Sequence, residues 1–95
     1  MAVASTDADI IVKAILDEGP ISVQQAASLL PGPEKISTRT VYRWIRSGVR
    51  VGPWRVRIEH IKLGGRIYTS EAAIQRFVST INDLRATQLK HQHAS

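Results

Sequence analysis

A chain of 95 residues, 43% hydrophobic and 22% charged, is sized for one small domain; this excludes a deep enzyme cleft, bulk disorder and a membrane-spanning bundle. Cysteine is absent, so disulfides and thiolate metal sites are excluded and an apolar core must supply the stability. The net charge of +5 is concentrated: residues 1–36 carry two basic against five acidic side chains, residues 37–69 eight against Glu59 alone, and residues 70–95 three against two.

The N-terminal residues lack a basic stretch ahead of an apolar core, so no signal peptide is expected. Thr6 can cap a first helix with Asp7 and Asp9 in its opening turn, where the helix dipole favours acid. Ile10, Ile11, Ala14 and Ile15 make its apolar stripe, Gly19 and Pro20 end it, and its acidic residues are expected to face solvent. Residues 1–20 therefore read as a structural helix packed on the domain. The apolar run 10–16 is broken by Lys13 and far too short to span a bilayer, so no membrane association is expected.

A second helix starts at Ser22. Its hydroxyl and the Gln25 side chain three residues later form a capping box, and Ile21 can staple onto Ala26. Ala26, Ala27, Leu29 and Leu30 give it a face that permits close helix contact, and Pro31 and Pro33 stop it. Residues 31–36 form a connection of about six residues, against three or four in the simple helix-turn-helix; Lys35 within it can reach a phosphate or stay solvated.

Residues 37–48 form the next helix, capped by Ser37 and ended by Gly48. Val41, Trp44 and Ile45 fall at i, i+3 and i+4, one narrow core-facing stripe. Arg39, Thr40, Tyr42, Arg43 and Arg46 occupy the other faces, a composition suited to the major groove of DNA. Arg39 and Arg43 share a face and can enter one groove, whereas Arg46 lies one turn on and reads as a phosphate contact. Thr40 and Tyr42 can bond phosphate or approach a thymine methyl; Tyr42 can equally pack against a hairpin formed by the residues beyond Gly48.

After Gly48 the period changes from 3.6 to 2. Residues 54–63 alternate, with Trp54, Val56 and Ile58 apolar, then Ile61 and Leu63 after a slip that predicts a bulge near Glu59 and His60. Gly64 and Gly65 form a hairpin turn and residues 66–69 return. Arg55 and Arg57 share one exposed face of this hairpin; Arg66 sits at its tip with Lys62 close by, placed for backbone or minor-groove contact. Ser70 then caps a last helix, with Ile74, Phe77, Val78, Ile81 and Leu84 on one face. Residues 85–95 read as a polar C-terminal tail, and residues 21–84 as the functional domain. His60, His91 and His93 make no plausible metal site, and no nucleophile is paired with a base, so neither an enzyme nor a cofactor is expected.

Ser22 to Leu30, then Ser37 to Gly48, then Gly64 to Ser70 with a closing apolar helix, resemble the MerR-like and excisionase-type winged helix-turn-helix proteins. The resemblance covers roughly residues 21–81, and its most specific part is Thr40, Val41, Tyr42, Arg43, Trp44 and Ile45 followed by Ser47 and Gly48. It implies a mainly α fold of three to four helices plus a two-stranded wing. It also implies that Arg39, Thr40, Tyr42 and Arg43 face the groove while Arg66 is the wing contact. A full MerR-type sensor is not implied.

The resulting expectation is a sequence-specific double-stranded DNA-binding protein, cytoplasmic and nucleoid-associated, assembling as a dimer or a cooperative array. An excisionase-like recombination directionality factor, acting architecturally on DNA, is the first biological reading. A small transcriptional repressor or activator is the second. A module docking an acidic partner, such as a recombinase or polymerase subunit, is the rival class. RNA is disfavoured because no aromatic platform is evident.

Overall fold

The computed structural model describes residues 5–30 and 36–94. Among them lie four helices and two antiparallel sheets, a mixed α/β arrangement: α1 (Ser5–Glu18), β1 (Ile21–Ser22), α2 (Val23–Leu29), α3 (Thr38–Arg46), β2 (Val49–Val51), β3 (Trp54–Val56), β4 (Ile61–Leu63), β5 (Arg66–Thr69) and α4 (Glu71–Ala94). β2 and β3 form a two-stranded sheet, and β1, β5 and β4 a three-stranded sheet in that order.

The caps at α2 and α3 carry the local structure. Ser22 Oγ accepts from the Gln25 amide at 3.1 Å while Gln25 Oε1 accepts from the Ser22 amide at 2.9 Å, a complete capping box that ties the end of β1 to the start of α2. Ser37 Oγ accepts from the Thr40 amide at 3.2 Å, satisfying one of the unpaired donors of α3. α3 closes with the amides of Ser47 and Gly48 both donating to the Arg43 carbonyl. Gly48 then takes a φ of +79°, and a Cβ there would run into the Val56 carbonyl oxygen. Only glycine lets the chain leave α3 and pass this close to β3.

The predicted 54–63 strand is two strands on two sheets. Ile58 and Ile61 are 1% and 4% exposed, and an odd spacing puts them on opposite faces of any continuous strand. The chain resolves the conflict by breaking, with residues 57–60 outside any strand, so that Ile58 enters the main core and Ile61 a second one. β2 pairs with β3 around Gly52 and Pro53, while β4 pairs with β5 around Gly64 and Gly65. The expected two-stranded hairpin is therefore β4–β5, extended to three strands by Ile21 and Ser22 pairing with Thr69 and Tyr68. Trp54 and Leu63, expected on the apolar side, are 40% and 50% exposed.

The main core unites α2, α3 and α4: Val23, Ala26, Val41, Ile45, Ile58, Ile74 and Phe77 are buried together. Trp44 leans on it from α3, its ring 5.5 Å from that of Phe77 and tilted by 37°. A smaller core joins Ile15 of α1 to Ile61 and Ala73, with Ile11 and Tyr68 against it. Ile10, assigned to the buried stripe of α1, is 62% exposed, because the stripe that meets β4 and α4 is centred on Ile11 and Ile15. Thr6 lies inside α1, which begins one residue earlier.

α4 also departs from expectation. Residues 85–94, predicted to be a polar tail, continue the helix, since Ala86, Gln88 and Leu89 favour it and no glycine or proline interrupts. This extension makes a tertiary contact: the Gln88 side chain lies against Gly52 at the β2–β3 turn. The side chains of His91 and His93, and the loop holding Lys35, lie outside the described residues.

Candidate nucleic-acid interface

α3 is amphipathic in a specific way. Val41 and Ile45 are 0% and 2% exposed on the core side. Arg39, Tyr42, Arg43 and Arg46 are all exposed and stand at i, i+3, i+4 and i+7, a single stripe along the opposite side. The stripe is thus three guanidiniums and one phenol over about two helical turns. The ion pairs among the described residues both belong to Arg76, which leaves these arginines without a carboxylate partner there.

Thr40 does not join the stripe. It is half-buried, and its Oγ1 lies 3.0 Å from Ser37 Oγ at the helix start, so it belongs to the cap. Tyr42 borders a groove of about 460 Å³ between the start of α3 and the β4–β5 hairpin, which it shares with Thr38, Gln24, Arg66 and Tyr68. Helix and hairpin residues that are 24 positions apart in sequence therefore line one surface. Arg66 pairs with Leu63 directly beside the glycine turn, and Lys62 stands opposite Ile67; both cations are exposed.

Arg55 and Arg57 are exposed, but not on that hairpin. They come after the β2–β3 turn, so the expected single basic hairpin face is split in two by the break at residues 57–60. Arg55 Nη1 donates to the Ser47 carbonyl at 2.7 Å, a favourable place for a cation because α3 ends there with unpaired carbonyls. Arg57 Cγ lies beside Gly48. Arg55 thus fastens the β2–β3 hairpin to the end of α3.

Sequence reasoning missed Arg50, which stands directly opposite Arg55 on β2 and is exposed. The alternation of Val49, Arg50 and Val51 carried that signal. Also missed was the cluster on the side of α1. Arg76 bonds Glu18 Oε2 at 2.7 Å through Nη1 and Glu59 Oε1 through Nε at 2.9 Å, while Ser70 Oγ donates to Glu18 Oε1 at 2.6 Å. The Arg76 guanidinium and then the Ser70 hydroxyl hold the Glu18 carboxyl below its ordinary value, and the two carboxylates push Arg76 up. Glu18 is exposed, as are Asp9 and Asp17, but it is held in an ion pair with Arg76. His60 Nδ1 lies 3.1 Å from the Ile58 carbonyl and makes a backbone contact.

Residues 22–82 match the family described as protein of unknown function (DUF1580). The chain belongs to this family. The DUF1580 stretch opens on the Ser22 cap of α2 and closes at Asn82 within α4, so it takes in α2, α3 and both hairpins and leaves α1 outside. All nine residues proposed from sequence for nucleic-acid contact fall inside it. No curated protein and no solved structure matches the chain. No helix of the described residues is long and apolar enough to cross a membrane.

Proposed function

We propose that this DUF1580 protein binds double-stranded DNA sequence-specifically and without catalysis, with α2 and α3 as a helix-turn-helix and β4–β5 as its wing. The observation that carries the reading is the α3 stripe: Arg39, Tyr42, Arg43 and Arg46 exposed in a row, opposite a fully buried Val41 and Ile45. A helix held rigidly from behind and lined with guanidiniums in front has the width and the donors for a major groove. Arg39 and Arg43 are the base-reading candidates and Arg46 the phosphate contact. Arg66 and Lys62 on the hairpin contact the neighbouring backbone or minor groove.

In biological role the excisionase-like reading comes first, an architectural factor that assembles on repeated sites and bends DNA. Transcriptional repression or activation is the second role for the same surface, and docking of an acidic protein partner is the rival class. The exposed stripe favours DNA over a protein partner, because its arginines are spaced for one groove. A nucleoid-associated, cytoplasmic location belongs to the same reading.

Selection of bound sites from random duplex DNA tests it. A common motif should emerge, with any half-site spacing reporting the stoichiometry. Arg43→Ala should weaken binding to the selected site by about 1–3 kcal/mol and relax preference at one position. If Arg39→Ala and Arg43→Ala both bind the selected site as well as the wild type, α3 is not the recognition helix.

A further inference from the structure

The β2–β3 hairpin has no part in the proposed helix-turn-helix or its wing, yet it presents an exposed basic pair of its own. Arg50 and Arg55 are direct cross-strand partners, so their side chains emerge on the same face of the two-stranded sheet. Both are exposed, whereas Val49, Val51 and Val56 take the alternate positions toward the protein. Like charges placed directly opposite one another destabilise a strand pair unless an anion comes between them. Neither arginine is in an ion pair with a carboxylate among the described residues, where both ion pairs belong to Arg76.

Two fixed contacts make the hairpin a rigid arm. Arg55 is bonded to the Ser47 carbonyl, one residue past Arg46, so the basic face of the hairpin begins where the α3 stripe ends. At the other end, Gly52 rests against Gln88 of α4.

We propose that the Arg50–Arg55 face is a second backbone-binding arm that holds the sugar-phosphate strand of duplex DNA beyond the C-terminal end of α3. It extends the footprint to the side of α3 away from the Gly64–Gly65 turn. The proposal rests on the DNA-binding reading of α3. Its chemistry is bidentate guanidinium–phosphate pairing, which positions the protein and carries no sequence information. The bridging anion also relieves the Arg50–Arg55 repulsion, so arm and strand stabilise each other.

Arg50 donates no side-chain hydrogen bond among the described residues, which makes it the clean probe. The salt dependence of binding is measured for the wild type, Arg50→Ala and Arg50→Lys on a selected site and on an unrelated duplex, each about 30 base pairs, or three helical turns. Loss of one phosphate contact lowers the slope of log affinity against log salt by about 0.9, so from roughly 50 to 200 mM salt the variant should lose about 3.5-fold less affinity than the wild type. Arg50→Lys should restore the slope, and preference for the selected site should be unchanged in both variants. A wild-type slope in Arg50→Ala, with site preference intact, overturns the arm and leaves α3 standing. Altered site preference in Arg50→Ala overturns it as well, by making Arg50 a base reader. A wild-type protein that binds neither duplex overturns the DNA-binding reading and the arm together.

Discussion

Arg76 shows how much of this domain rests on one side chain. It is the meeting point of α1 through Glu18, the 57–60 connection through Glu59, and α4 itself. Ser70 both caps α4, accepting from the Ala73 amide at 2.9 Å, and donates to Glu18. Because the folded state holds Glu18 below its ordinary value of 4.5, the folded protein binds a proton there less readily than the unfolded chain. The stabilisation is therefore fully present above about pH 4.5 and disappears as the pH falls through the depressed value. Glu18→Gln should cost about 0.5–1 kcal/mol at neutral pH, the range of partly exposed ion pairs, and less in high salt. Urea titrations of both proteins should converge as the pH is lowered toward 3; a constant gap would show that the carboxylate charge is not what matters.

At the scale of elements, α3 and its exit decide the architecture. Gly48 sits at a positive φ with the Val56 carbonyl against its missing side chain, so Gly48→Ala meets both a strained backbone and a clash with main chain. We expect a loss of about 2–4 kcal/mol, read as a lower urea midpoint. Gly64→Ala is the control: it has a comparable positive φ but nothing near its Cβ, so its cost should be smaller, about 1–2 kcal/mol. The helices were largely legible in the sequence because their signals are local. Ser22 with Gln25, Ser37 with Thr40, and the Val41, Trp44, Ile45 stripe each act within one turn. The sheets were legible only in part. The slip between Ile58 and Ile61 was visible, but whether it meant a bulge or a break depends on two separate cores waiting for those residues, which is a tertiary fact. Of the candidate site, the exposed row on α3 came from helical spacing alone. The separation of Arg55 and Arg57 from Lys62 and Arg66 did not, since it depends on that same break.

For the molecule as a whole, α1 poses the sharpest question, because it lies outside the matched DUF1580 residues and carries four acidic residues against Lys13 alone. Its contribution is to packing. Ile15 is fully buried against Ile61 of β4 and Ala73 of α4. By drawing Ile61 inward it fixes which face of β4 points out, because neighbouring residues of a strand alternate, and Lys62 is thereby turned to solvent. α1 thus braces the β4–β5 hairpin from behind through Ile15 and Ile61. Ile15→Ala should leave a cavity at this junction and cost about 2–5 kcal/mol, a large share of the stability of a domain this size. In urea the midpoint should fall with an unchanged slope, as for a lost native contact rather than an altered unfolded state. Under folding conditions the same variant should select the same DNA motif as the wild type, while its affinity falls modestly as the wing loosens. A changed motif would mean that α1 takes part in recognition, and the division between a bracing helix and a reading helix would have to be redrawn.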